Sequence, residues 1–246
     1  SVETEHLRRV KESNRPLVLL DRSAGGLAVE TVAVDMAAIS YEATNHLLDS
    51  GHRRIAFIST LSTDTAAFSE GMRLDSSQIS DRLEGMRRAF ADAGHSFPDD
   101  LVRLNAGDAG SIRKLTREVL LGAKPATAVV ASDGLIALSV VEAIQEAGLR
   151  IPEDVSFLMY DDFAWTRLTT PPLTVVSQPV YEMGAAAAAA LIRQIEGRPP
   201  LVPAPEFNAA LVRRGSVGAV PESAPPHSVS PSDSFSPSLR SSAVPW

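Results

Sequence analysis

The chain predicts an open, doubly wound α/β sheet, and three observations carry that reading. Short runs rich in branched apolar residues alternate with stretches striped at helical spacing. The short runs are apolar throughout rather than at every second position, as parallel strands covered on both faces require. The helical stretches stop at glycines, Gly51, Gly94 and Gly148, the residue type that ends helices most readily.

In chain order, residues 16–21 and 31–35 read as the first strands. Residues 36–50 follow as a helix with Ile39, Ala43, Leu47 and Leu48 on one stripe. Residues 53–59 form the next strand, and Leu83, Met86, Ala89 and Phe90 stripe a second helix. Strands are expected at 101–105 and 126–132, a helix over 133–147, and strands at 155–161 and 173–178. A long Ala-rich helix then runs to residue 196, and 207–213 reads as a last strand. From 218 to 246 the chain is Ser and Pro with hardly a charge, too poor in branched apolar residues to offset the entropy of ordering, so a disordered tail is expected there.

With 246 residues the chain can form one large domain or two lobes of about 100 residues each. A net charge of −7 leaves no basic footprint for nucleic acid within these residues. There is no cysteine, hence no disulfide frame or thiolate zinc site. No apolar run reaches the length of a membrane span; the longest, 185–192, is short and Ala-rich. The chain opens on Ser1, so either a removed leader or an upstream domain fits.

In an open parallel sheet, ligands bind outside the carboxyl ends of the strands. Three predicted strands end in polar pairs: Asp21-Arg22, Ser132-Asp133 and Asp161-Asp162. Capping of the next helix is the plainer account of Ser132-Asp133, with one residue free to face the crevice while the other caps. Successive side chains leave a strand on opposite faces, so Asp161 and Asp162 cannot serve one ligand atom together. That disfavours a general acid–base pair and a metal site alike. The five histidines show no ligand spacing and are expected on the surface. Trp165, just beyond a strand end, either packs in the core or offers a flat face on which a sugar ring stacks. Arg82, in the first turn of its predicted helix, reads as a solvated arginine or as a cation held by a ligand or carboxylate. Gly-x-Ser-x-Gly, the Walker phosphate loop and the dinucleotide fingerprint are all absent, so no catalytic residue and no cofactor are expected.

Nine blocks, in order, resemble the effector-binding domain of lactose-repressor-like (LacI/GalR) transcriptional regulators. They include Pro-Leu-Val-Leu-Leu-Asp-Arg at 16–22, Val-Ala-Val-Asp at 32–35, Leu-Leu-Asp-Ser-Gly-His-Arg-Arg-Ile-Ala-Phe-Ile at 47–58 and Arg-Leu-Glu-Gly at 82–85. Ala-Ser-Asp-Gly-Leu-Ile-Ala-Leu at 131–138, Gly-Leu-Arg-Ile-Pro-Glu-Asp-Val-Ser at 148–156, Tyr-Asp-Asp at 160–162, Pro-Pro-Leu-Thr-Val-Val-Ser-Gln-Pro at 171–179 and Met-Gly at 183–184 complete the series.

The resemblance implies a periplasmic-binding-protein-like fold: two doubly wound parallel-sheet lobes with a small-molecule effector, a sugar or sugar derivative, in the cleft between them. It puts 1–60 and 179–205 in an incomplete first lobe and 61–178 and 206–217 in the second. It also implies a cytoplasmic homodimer that reads operator DNA through a helix-turn-helix upstream of Ser1, with an exported solute-binding protein as the alternative. Carried over by position, Asp21, Arg82, Ser132 and Asp161 match the family's cleft residues, with Trp165 stacking on the effector. Three departures stand out. Met159 replaces a common glycine and should press on neighbouring helices or narrow the cleft floor; Ser132 replaces a common asparagine and loses a bidentate amide contact; and the loop over 60–80 is long enough for a flap at the cleft rim.

Overall fold

The computed structural model describes residues 2–24, 26–69, 71–199 and 205–220. The elements are α1 (Val2–Glu12), β1 (Val18–Leu20), β2 (Glu30–Val32), α2 (Met36–Asp49), β3 (Ile55–Ile58), α3 (Ser77–Asp92) and β4 (Val102–Arg103). They continue with α4 (Ala109–Leu121), β5 (Ala128–Ala131), α5 (Gly134–Glu146), β6 (Ser156–Tyr160), β7 (Thr174–Ser177), α6 (Val180–Ile195) and β8 (Ala210–Val212). β1 and β2 pair in parallel as one small sheet. The other six strands form a second sheet in the order β4-β3-β5-β6-β7-β8, parallel except for β8, which runs against β7. This is the periplasmic-binding-protein-like architecture the resemblance implied.

The pleat divides the large sheet's side chains between two cores. Ile55, Phe57, Val130, Leu158, Tyr160 and Val176 face α2 and α3. Their immediate neighbours Ala56, Ile58, Val129, Phe157, Met159 and Val175 face α4 and α5. Every residue of β3, β5 and β6 is buried, which is why those strands read as unbroken apolar runs. Met159 lies in the α4/α5 core and not at the cleft floor. Ala131 is its register partner on β5, and that small neighbour leaves room for the added bulk.

Strand pairing moves the expected lobe boundary at residue 60. β3 sits between β4 and β5, and α2 packs on α3, so the chain leaves the small sheet soon after β2. An isolated parallel bridge, Val34 to Phe207, marks one crossing between the lobes. α6 returns to cover β1 and β2, while β8 joins the large sheet. The segment expected to flap is anchored instead. Asn105 exchanges hydrogen bonds with the Thr63 backbone at 2.6 and 2.8 Å, Ala67 bridges Arg103, and Phe68, Met72 and Leu74 pack on the first core. Residues 218–220, expected to belong to a disordered tail, are held in place: the Gly218 carbonyl is hydrogen-bonded and the Val220 N–H donates to the Ser50 carbonyl. Its remainder, 221–246, lies outside the described residues.

α2 and α3 approach closely at Gly85. A Cβ there would stand 2.3 Å from the Ala37 carbonyl oxygen and 2.8 Å from the Ser40 Cβ. Gly85→Ala therefore forces the two helices apart, and its denaturant midpoint should fall by an amount equivalent to about 1–3 kcal/mol, even though alanine is the better helix former. An unchanged midpoint would mean that the helices part freely.

His52 is not on the surface; it is fully buried at the start of β3. Its Nε2 lies 3.0 Å from the Gly218 carbonyl and 2.8 Å from the Ser156 hydroxyl, and its Nδ1 lies 2.9 Å from the Thr127 hydroxyl. Because the carbonyl only accepts, Nε2 carries the proton and Nδ1 accepts from Thr127. Burial lowers its pKa; the Gly218 carbonyl opposes this, and Arg53 and His46 add to the lowering. The unfolded chain, with an imidazole near pKa ~6.5, then binds a proton that the folded chain refuses. Stability is therefore full above about pH 6.5 and is lost as pH falls below it. Thermal midpoints measured from pH 7.5 to 5.5 should decline in the wild type and decline less in His52→Gln.

Candidate functional site

Two of the polar strand ends turn in the same unusual way. The Asp21 N–H donates to the Val32 carbonyl and the Asp161 N–H to the Val176 carbonyl, each extending a parallel ladder by one bond. Each residue then adopts a left-handed backbone, with φ of 54° and 77°. Asp tolerates that region better than most residues, and the turn lifts its carboxylate off the strand end.

Both carboxylates line one cavity of about 280 Å³, together with Thr60, Ser76, Gln78, Arg82, Asp133 and Gln178. The volume is near the lower bound, about 300 Å³, of small-molecule sites. The walls come from the carboxyl ends of β1, β5, β6 and β7 and from the first two turns of α3. A larger hollow of about 450 Å³ lies at the opposite end of the large sheet, before β6 and β7. Its lining is mostly apolar, and its Arg150 is already paired with Asp154, so it offers no chemistry comparable to the strand-end cavity.

Arg82 is the centre of this cavity's electrostatics. It is only 5% exposed, yet its Nε has no hydrogen-bond partner, and among the described residues no carboxylate lies within ion-pair distance. α3 begins at Ser77, so Arg82 sits in its second turn rather than its first. The Tyr160 ring supports the guanidinium from below, 4.3 Å from ring centre to Cζ. Tyr160 donates to Ser40 at 2.8 Å, and Ser40 donates to the Arg82 carbonyl at 2.7 Å, which ties the cation's backbone to the same ring. Burial pushes the Tyr160 phenol above its ordinary pKa, against the opposing pull of Arg82 and Ser40.

The other polar groups divide between saturated and open. Asp133 caps α5 by accepting from the Leu135 and Ile136 N–H groups at 2.9 and 3.2 Å, and it also accepts the Ser132 hydroxyl at 2.8 Å. Asp133, not Ser132, is thus the member of that pair on the cavity wall; Ser132 is wholly buried behind it. Asp161 accepts one distant backbone bond, from Gly134 at 3.3 Å. Asp21 accepts from the Gln78 amide across the cleft, and the Ser23 N–H donates to the Ser77 hydroxyl at 3.0 Å, so both contacts join the small lobe to the start of α3. Burial raises the pKa of Asp21; Arg82 and Gln78 act against it, and Asp161 adds to the rise.

Asp162 faces away, as the pleat requires. Arg214 grips it through two bonds of 2.8 and 2.7 Å, and Arg167 and Thr166 each add one of 2.9 Å. Burial alone would raise its pKa, but those donors outweigh it and hold the carboxyl below its ordinary value.

The structure therefore brings Asp21, Arg82 and Asp161 together and leaves Ser132 and Trp165 off the wall. Trp165 is half-buried and packs against the second core. Gln178 and Gln78 are additions. Gln178 follows β7 directly, so the strand-end rule could have found it; Gln78 carried no sequence signal beyond its place at a helix start.

Comparison with known proteins agrees with the fold. The family described as periplasmic binding protein-like domain matches residues 44–217. A probable opine utilization operon repressor of Rhizobium rhizogenes is 35% identical over 185 residues, covering 75% of this chain and 91% of that protein. The transcriptional repressor PurR of Aliivibrio fischeri is 28% identical, and the alignment covers 84% of this chain but 58% of PurR. Among solved structures, a sugar-binding transcriptional regulator of the LacI family from Escherichia coli, complexed with phosphate, superposes with a TM-score of 0.72 at 27% identity, covering 88% of this chain and 73% of that one. The chain belongs to the periplasmic binding protein-like domain family, and within it to the LacI/GalR regulators, whose effector-binding domain it represents.

Proposed function

We propose that this domain senses a small polar effector, a sugar or sugar derivative, in the cavity between its lobes, and that occupancy sets the lobe arrangement which governs operator binding by an upstream helix-turn-helix. The observation that carries the reading is the buried, unpartnered Arg82 Nε. Burying a guanidinium without an ion pair costs several kcal/mol, roughly, unless a ligand supplies the missing acceptor. In this reading Arg82 donates to an effector oxygen, while Asp161 and Asp21 accept from effector hydroxyls or amines, one from each lobe. An effector touching both lobes favours their closed arrangement over an open one, which is what a population shift needs. The matched solved structure described as a sugar-binding regulator supports the ligand class.

Dimerisation belongs to the same proposal. α5 exposes Leu135 at 86% and Leu138 at 52%, three residues apart on one face. Phe163, 44% exposed, lies against Gly134 immediately before them. Such a patch on a helix that is otherwise core-packed fits a self-complementary contact between two copies.

A thermal-shift screen of the protein against sugars and their derivatives tests the effector reading. A ligand at 100 times its Kd should stabilise the wild type by about 2.7 kcal/mol, and the shift should vanish in Arg82→Ala and Asp161→Ala. A shift that survives both substitutions would place the effector elsewhere. For the dimer, Leu135→Asp should lower the mass measured by light scattering from two copies to one while leaving far-UV circular dichroism unchanged; persistence of the dimer would exclude the α5 face.

A further inference from the structure

The polar groups left open in the cleft differ in kind, and their balance bears on the effector's chemistry, an inference that rests on the effector reading above. Among the described residues no hydrogen bond reaches Oδ1 of Asp21 or of Asp161, whose other oxygens take Gln78 and Gly134. The buried Oε1 of Gln178 has no partner either. These three acceptors line the same cavity. Facing them is one cation, Arg82, with its own Nε open. Three carboxylates, Asp21, Asp133 and Asp161, against one guanidinium leave the cavity with an excess of two negative charges.

Asp133 spends its oxygens on the α5 cap and the Ser132 hydroxyl, so the open demand falls on Asp21 and Asp161. They sit at the ends of β1 and β6, one in each sheet, so closing the lobes drives two like charges together. A neutral hydroxyl between them supplies one donor and turns its own lone pairs toward a carboxylate. An ammonium supplies three donors and no acceptor, and its charge offsets the repulsion. A metal ion is the weaker fit, since among the described residues no three acidic or histidine side chains are grouped to hold one.

We infer that the effector carries a positively charged amino group, held between Asp21 and Asp161 with the Gln178 carbonyl as third acceptor, and an oxygen acceptor directed at Arg82. Amino sugars and amines bearing a carboxylate or hydroxyls share this chemistry.

Calorimetric titration and thermal shift of the full chain with matched pairs test it: glucosamine against glucose and N-acetylglucosamine, and serinol against glycerol. In at least one pair the ammonium member should bind at least about tenfold more tightly than its neutral partner, a difference of about 1.4 kcal/mol. Asp161→Asn, which keeps an acceptor oxygen but removes the charge, and Asp21→Asn on the other lobe should each erase that preference. Neutral partners that bind as well or better, or a panel in which no amine stabilises the protein, overturn the inference. The two failures are distinguishable. Neutral sugars that stabilise the wild type but neither Arg82→Ala nor Asp161→Ala leave the effector site standing and remove only the amino group. Shifts that survive both substitutions remove the site itself.

Discussion

The stacking of Arg82 on Tyr160 organises the centre of the molecule, and several distant features exist to permit it. A guanidinium carries a full charge that water stabilises, and moving it to 5% exposure without an ion pair is favourable only if other contacts replace that water. The Tyr160 ring provides one such contact, a cation–π interaction of about 2 kcal/mol where solvent is excluded. Holding the ring requires the Ser40 hydroxyl, and holding Ser40 against the Arg82 carbonyl requires α2 and α3 to touch. That touch is possible because residue 85, one helical turn after Arg82, has no Cβ. A glycine in one helix, a serine in the next and a tyrosine on β6 thus act together to aim one cation at the strand ends.

The same arrangement couples the two lobes. Asp21 reaches the cleft from the small sheet and Asp161 from the large one, each by a left-handed turn at the last rung of a parallel ladder. α3 spans the gap: Gln78 and Ser77 hold the small lobe, while Arg82, one to two turns later, rests on the large sheet's Tyr160. Besides these contacts, the Val34–Phe207 bridge and the short connection from β7 into α6 cross between the lobes, and Val18, Val32 and Met183 of the small lobe belong to one continuous core with Phe57 and Tyr160.

Local pattern made much of this legible, and long-range pairing hid the rest. The runs at 55–58, 128–131 and 156–160 declared central parallel strands because both faces of each are covered. The pleat alone separated Asp161 from Asp162, strand-end topology pointed to Asp21 and Asp161, and the family resemblance added Arg82, all three of which line one cavity. What failed depended on partners that no window contains. Which sheet β3 joins is decided by its pairing with β4 and β5, not by its own apolar run. His52 looks like a surface residue beside Gly51 and Arg53 until Thr127, Ser156 and Gly218 close over it. Trp165 follows a polar loop, yet it packs against the second core, whose residues come from segments the loop does not announce.

Asp161 and Asp162 show how adjacent identical residues come to hold different charges in practice. Arg214 and Arg167, with Thr166, surround Asp162, so its negative charge is neutralised within a few ångströms and contributes little field at the strand ends. Asp161 has one weak backbone donor and no cation within ion-pair distance among the described residues. Had Asp161 been paired as well, the cavity's excess would fall from two negative charges to one. With only Asp162 paired, the uncompensated charge lies on the side of the pleat that faces the cavity. The end of β6, whose alternation separates core from core, thereby adds one of the negative charges that Asp21 and Asp133 also bring to the cavity.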